Sequence, residues 1–105
     1  MLVSICIPTF NRPLLVQEAV GSCFQQDHRP LEIFIGDDSL DDRTQDLLSP
    51  MRAPDGITLH YCRNRPGHGQ ARNVDALIGA ATGEKLVLLH DDDTLLPGAV
   101  SSLLR

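Results

Sequence analysis

An α/β fold built on a mainly parallel sheet is predicted for this chain by three observations. Four short apolar runs, at 2–7, 31–35, 57–61 and 86–89, each have the length of a strand. Between them, Val16, Val20 and Cys23, and then Val74, Ile78 and Ala81, recur at helical spacing. Two of the runs end in acids, as Ile35-Gly36-Asp37-Asp38 and as Leu89-His90-Asp91-Asp92-Asp93. Strands alternating with helices call for right-handed crossovers, and in such open sheets ligands bind outside the carboxyl ends of the strands. The expectation is a Rossmann-like, three-layer α/β/α domain spanning 1–105, with its acids gathered at one end of the sheet.

Each element has its own signal. Leu2 to Ile7 reads as a buried strand that Pro8 ends by removing a ladder donor. Thr9 to Arg12 form a loop, and Asn11 is placed to cap a helix opening near Pro13, with Val16, Val20, Cys23 and Phe24 toward the sheet. Leu31 to Ile35 is the second strand. Ser39, with Asp42 three residues on, resembles a capping pair for a short helix running to Leu48, which Ser49-Pro50 stops. Ile57, Leu59 and Tyr61 alternate with Thr58, His60 and Cys62 in a third strand that enters the turn-rich segment Asn64 to Gly69. From Gln70 to about Ala81 the spacing predicts a helix with Ala71, Val74, Ile78 and Ala81 as one stripe and Gly83 as a left-handed stop. The run after Lys85 suits a strand buried on both faces, and Pro97 opens a last helix.

Composition narrows the function. The chain of 105 residues is enough for one core. Nine basic residues against fourteen acidic ones leave no basic stripe for nucleic acid. Cys6, Cys23 and Cys62 are odd in number, lack metal-ligand spacing and fall in apolar segments, which suits reduced, buried thiols in a cytosolic protein. No run approaches the ~18 apolar residues of a membrane span, and Met1 to Ser4 lack the charged start of a signal peptide. A cytoplasmic location follows, at the inner face of the membrane if the parent is membrane-bound.

The acids carry the chemistry. Asp37, Asp38, Asp41, Asp42 and Asp91 to Asp93 supply seven of the fourteen. Adjacent carboxylates repel, so a fold that sets three at the end of a buried strand calls for a cation, or a ligand carrying one. A solvated acidic turn is the alternative.

The string Val3-Ser4-Ile5-Cys6-Ile7-Pro8-Thr9-Phe10-Asn11-Arg12, then Ile35-Gly36-Asp37-Asp38-Ser39, then Asn64-Arg65-Pro66-Gly67-His68-Gly69-Gln70-Ala71-Arg72-Asn73, and finally His90-Asp91-Asp92-Asp93 before Pro97, closely resembles the family 2 glycosyltransferases. Four motifs stand in the family's order over nearly the whole chain. The resemblance implies the GT-A nucleotide-diphospho-sugar transferase fold, truncated here to its donor-binding half. It also implies transfer of a sugar from a nucleotide-diphospho-sugar, a UDP-sugar above all, to an acceptor hydroxyl with inversion, assisted by Mn²⁺ or Mg²⁺. The acceptor, whether saccharide, lipid or protein, is not specified.

By the same resemblance Pro8, Thr9, Phe10 and Asn11 line the nucleotide, with Asp37, Asp38 and Asp91 beside it. Asp38 would accept the imino N–H of uracil, and the Phe10 ring would stack on the base. Core packing is the alternative for Phe10, and helix capping for Asp38. Arg72, beside Gly67 and Gly69 at a helix start, suits a phosphate, or else an ion pair with Asp75. The family's Asp-x-Asp metal motif falls on His90 to Asp93, with His90 where the first acid usually stands. Asp92 and Asp93, with His90, become the metal candidates; a register shifted by one would pair Asp91 with Asp93 instead. Imidazole favours transition metals over Mg²⁺. The family's general base lies beyond the metal motif, and no residue of the 105 takes that role by resemblance. A non-catalytic nucleotide-sugar or partner-binding module is therefore the rival reading, and a sheet ending at its fourth strand favours self-association. A phosphatase of the Asp-x-Asp-x-Thr type is disfavoured by Leu95 where Thr is required.

Overall fold

The computed structural model describes residues 1–105. Strands β1 (Val3–Thr9), β2 (Leu31–Asp37), β3 (Ile57–Arg63) and β4 (Lys85–Leu88) form one parallel sheet in the order β3-β2-β1-β4. Helices α1 (Pro13–Phe24), α2 (Arg43–Leu48), α3 (Gln70–Ala80) and α4 (Ala99–Leu103) complete the fold.

Strand alternation sets the layers. Ile5, Ile7, Ile33 and Ile35 pack with Val16, Ala19, Val20 and Cys23 of α1, and Leu48 and Val100 bring α2 and α4 into the same core. The next residue along, Cys6, points the other way, and its Sγ lies 3.7 Å from the Leu77 carbonyl oxygen of α3. Helices thus cover both faces, as the sequence led us to expect. Truncating a core aliphatic such as Ile5 costs ~2–5 kcal/mol.

Several details differ from the sequence reading. Pro8 does not end β1, which runs on to Thr9. Cys6 accepts from Leu89 N on the β4 side, so Pro8, two residues on, turns its missing donor toward the same side, beyond the last residue of β4. β2 accordingly continues past Ile35, pairing Pro8 with Gly36 and Thr9 with Asp37. Asn11 is not the cap of α1; Arg12 occupies that position, while Asn11 sits in the left-handed region at φ 53. Ser39 does not cap α2, which starts at Arg43 after Asp42. The Ser39 amide and hydroxyl are already committed, to Asp37 Oδ1 and to the Asn11 amide.

The buried face of α3 is Asn73 and Leu77, not the Ala71, Val74, Ile78 and Ala81 stripe. Asn73 meets Gly36 so closely that a Cβ there would collide with its Oδ1, and its Nδ2 donates to the Gly36 carbonyl at 2.9 Å. The polar contact of Asn73, together with the buried Leu77 one turn on, therefore sets the helix rotation. Gly83 is not left-handed either. It is required because a Cβ would lie 2.5 Å from Ser4 Oγ and 2.8 Å from Ser4 N. β4 is an edge strand rather than one buried on both faces, leaving Leu86 and Leu88 each 40% exposed. α4 begins two residues after Pro97, following Gly98 at φ 79. Cys6 and Cys23 are buried, but Cys62 on edge strand β3 is exposed.

Candidate functional site: a polar pocket at the sheet's switch point

The chain steps outward from β1 to β2 to β3, then crosses through α3 to β4 on the far side of β1. The crevice between the carboxyl ends of β1 and β4 is therefore the topological switch point, where open α/β sheets bind ligands. Thr9, the last residue of β1, donates its hydroxyl to Asp91 Oδ2 at 2.8 Å. The other oxygen, Oδ1, receives Arg12 Nη1 at 3.2 Å, and the same nitrogen lies 3.4 Å from Asp92 Oδ2. A turn closed by Asp93 N donating to the His90 carbonyl oxygen at 3.0 Å keeps Asp91 buried and leaves Asp92 and Asp93 exposed.

Around this turn lies a pocket of about 440 Å³ lined by Pro8, Thr9, Arg12, Gln70, Asn73 and residues 90–93. A second cavity, also about 440 Å³, is lined by Phe10, Asp38, Leu40, Gly67, Gly69 and Gln70. Gln70 belongs to both, so the two are neighbours on one surface. Phe10 is 52% exposed, which rules out core packing and leaves its ring free at the second cavity.

Asp38 does not cap a helix. Its Oδ1 accepts from Asn64 Nδ2 at 2.8 Å and from His68 N at 3.0 Å, and its Oδ2 from Gly69 N at 3.0 Å. A buried carboxylate is favoured when amides surround it in this way. The loop after β3 is thereby pinned to the end of β2. Gly67 permits the approach, since a Cβ would stand 3.3 Å from the Asp38 carbonyl oxygen, and Gly69 takes φ 82 ahead of α3.

Other polar residues knit the loops together. Asn11 N donates to Ser39 Oγ at 2.8 Å and Asn11 Oδ1 accepts from Leu40 N at 2.9 Å, tying the loop after β1 to that after β2. Asp37 is wholly buried and accepts from Ser39 N and from the Tyr61 hydroxyl, the latter at 2.6 Å. Burial first, and then the bond to Asp37, push the Tyr61 hydroxyl above its ordinary range. Asp42 takes Arg63 at 3.0 Å and Arg65 at 2.7 Å on one oxygen; the Arg63 bond and the Arg65 charge hold its carboxyl below the usual range.

The structure thus brings Pro8, Thr9, Asp91, Asp92, Asp93 and His90 into one pocket, and sets Phe10 and Asp38 beside it. Asn11, Asp37 and Arg72 line neither cavity. Arg72 is exposed and forms no ion pair, with Asp75 or any other acid. His68 is an exposed loop residue. Arg12 and Gln70 were given no site role by the sequence reading. A cation three residues after Thr9, in a chain with three unmatched acids, was the signal for Arg12.

No three His, Cys, Asp or Glu side chains converge as a closed metal cage. The donor set nonetheless fits a hard cation that shares its shell with phosphates and water, which needs only one or two protein carboxylates. Asp92 and Asp93 present such oxygens at the pocket, whereas both oxygens of Asp91 are engaged.

The model of glycosyl transferase family 2 matches residues 4–105. Among curated proteins, the chain is 33% identical over 103 residues to a GalNAc(5)-diNAcBac-PP-undecaprenol beta-1,3-glucosyltransferase of Campylobacter jejuni, covering 98% of this chain and 33% of that protein. It is 30% identical over 105 residues to the abequosyltransferase RfbV of Salmonella typhimurium, covering 98% and 32%. The chain spans about a third of the length of these relatives. Its fold resembles that of S. aureus TarS in complex with UDP-GlcNAc, at TM-score 0.87 and 21% identity over 99% of this chain and 30% of that one. The mannosyltransferase PcManGT of Pyrobaculum calidifontis, in complex with GDP-Man and Mn2+, aligns at TM-score 0.82 and 21% identity over 97% and 31%.

Proposed function

The chain belongs to glycosyl transferase family 2, and from that premise we propose that it forms the donor site of an enzyme that moves a sugar from a nucleotide-diphospho-sugar, most simply a UDP-sugar, to an acceptor hydroxyl with inversion. The observation that carries this reading is the Thr9–Asp91 hydrogen bond at the switch point, with the polar pocket around it. The base lies in the cavity of Phe10 and Asp38, against the Phe10 ring, and the diphosphate lies in the pocket of Arg12, Gln70 and the acidic turn.

Asp92 and Asp93 would hold Mn²⁺ or Mg²⁺, with His90 at the rim. Bound there, the cation supplies charge to offset what builds on the departing diphosphate. The residues of this chain bind and orient: Thr9 fixes Asp91, Arg12 lines the diphosphate pocket, and Asp38 sets the 64–69 loop against which the nucleotide rests. The general base and the acceptor, whether saccharide, lipid or protein, belong to the whole protein's chemistry and are assigned to no residue here. A cytoplasmic location is part of this proposal, at the inner face of the membrane if the whole protein is membrane-bound. The exposed Leu86 and Leu88 beside the open edge of β4 favour association with another surface.

Calorimetric titration of UDP in Mn²⁺ and then in EDTA tests the reading. Binding in Mn²⁺ that weakens in EDTA is the expected result, and equal affinity in both removes the metal from the proposal. UDP binding without transfer to any acceptor would fit the rival reading, a nucleotide-sugar or partner-binding module.

A further inference from the structure

We infer that Arg12 is an exchangeable counter-ion for the acidic turn: it holds the charge position between Asp91 and Asp92 until the donor arrives, then turns to the donor's phosphates. This rests on the donor-site reading above. One nitrogen, Nη1, lies 3.2 Å from Asp91 Oδ1 and 3.4 Å from Asp92 Oδ2. It therefore bridges carboxylates of two residues, as a small cation would.

The parts of this bridge differ in freedom. The Asp91 side chain is 11% exposed and its second oxygen is held by Thr9, whereas the side chains of Arg12 and Asp92 are 49% and 54% exposed. The backbone of Arg12 is fixed, because its carbonyl accepts from Val16 N at 3.0 Å as α1 begins. Only the arginine side chain needs to move. The pair with Asp92 is open to water on both sides and weak, and Asp91 keeps its bond from Thr9 when the guanidinium leaves, so the exchange is undemanding.

No other arginine is placed to take the role. Arg43 pairs with Asp41, Arg63 and Arg65 with Asp42, Arg29 and Arg52 donate to nearby carbonyls, and Arg72 and Arg105 line neither cavity. A diphosphate approaching Asp91 to Asp93 meets like charge, and Arg12 is the one guanidinium lining that pocket. Its planar fork suits two phosphate oxygens at once.

Mn²⁺ binding followed by electron paramagnetic resonance, for the wild-type chain, Arg12→Gln and Arg12→Lys, with and without UDP, tests the exchange. Without nucleotide, Arg12→Gln should bind Mn²⁺ about 1.5- to 5-fold more tightly than wild type, because its competitor is gone. Arg12→Lys should stay near wild type. In EDTA, Arg12→Gln should bind UDP more weakly than wild type. A residue that merely braced the loop would loosen both ligands, so equal or weaker Mn²⁺ binding by Arg12→Gln overturns the inference while leaving the metal reading intact. Mn²⁺ binding to none of the three, with or without UDP, would remove the metal reading and the exchange with it.

Discussion

Thr9 Oγ1 and Asp91 Oδ2 stand 2.8 Å apart, joining the last residue of β1 to the acidic turn beyond β4 across the one crevice where the strand order reverses. Both residues are buried, at 3% and 8% exposure, so the bond forms away from competing water. It fixes one oxygen of Asp91, which leaves the other to Arg12 and turns Asp92 and Asp93 outward.

Replacing Thr9 with Val keeps the shape and removes the donor. A hydrogen bond to a charged acceptor is worth ~1.5–3 kcal/mol, and an unpaired buried carboxylate costs more. Thr9→Val should lower stability by about that amount in urea unfolding and weaken UDP in Mn²⁺. Unchanged affinity would show that the turn is held without Thr9.

Asp38 holds three donors of the loop 64–69, so Asp38→Asn forces an amide against one of them. Calorimetry should show UDP weakened much more than free diphosphate, because the disturbed loop lines the base cavity. Equal losses for both ligands would mean that Asp38 serves the fold alone.

Glu32 is 7% exposed on the α3 face of the sheet. Burial raises its carboxyl, but bonds from Ser4 Oγ at 2.6 Å, Thr82 N at 2.8 Å and Thr82 Oγ1 at 2.8 Å outweigh it and hold the group below the ordinary range. With the folded value below the unfolded one of ~4.3, the stabilisation is complete above that pH and is lost as pH falls through the folded value. Glu32→Gln should cost ~1–3 kcal/mol at pH 7 and flatten the acid limb of a urea-midpoint profile. Parallel profiles for the two proteins would contradict this.

The thiols should separate cleanly. Burial pushes Cys6 up to about 11, with Glu32 adding to it, and pushes Cys23 up to about 12, while Cys62 is exposed. Ellman's reagent at pH 8 should modify one thiol promptly in the native chain and three in denaturant. Rapid reaction of all three without denaturant would show that the core opens.

Much of the architecture was legible because apolar runs, helical spacing and acid-ended strands survive in one dimension. What was not legible depended on three-dimensional neighbours. Pro8 stays in β1 because β4 stops short beside it, and Asn73 faces the sheet because Gly36 lets it approach. Gly83 answers to Ser4, which lies 79 residues away. At the site, the acids and Phe10 announced themselves, and the cavities gathered most of them. Asn11 and Asp37 were instead taken up by hydrogen bonds between loops, and Arg12 was overlooked because its partners lie at the far end of the sequence.

The central claim is the place of the donor, and mapping amide chemical shifts during a UDP titration in Mg²⁺ tests it most directly. The account predicts the largest changes at Thr9, Phe10, Gly67, Gly69 and the turn 90–93, on both cavities that share Gln70. Changes confined to the apolar cavity of Leu48, Met51, Ile57 and Leu59, between α2 and β3, would contradict it.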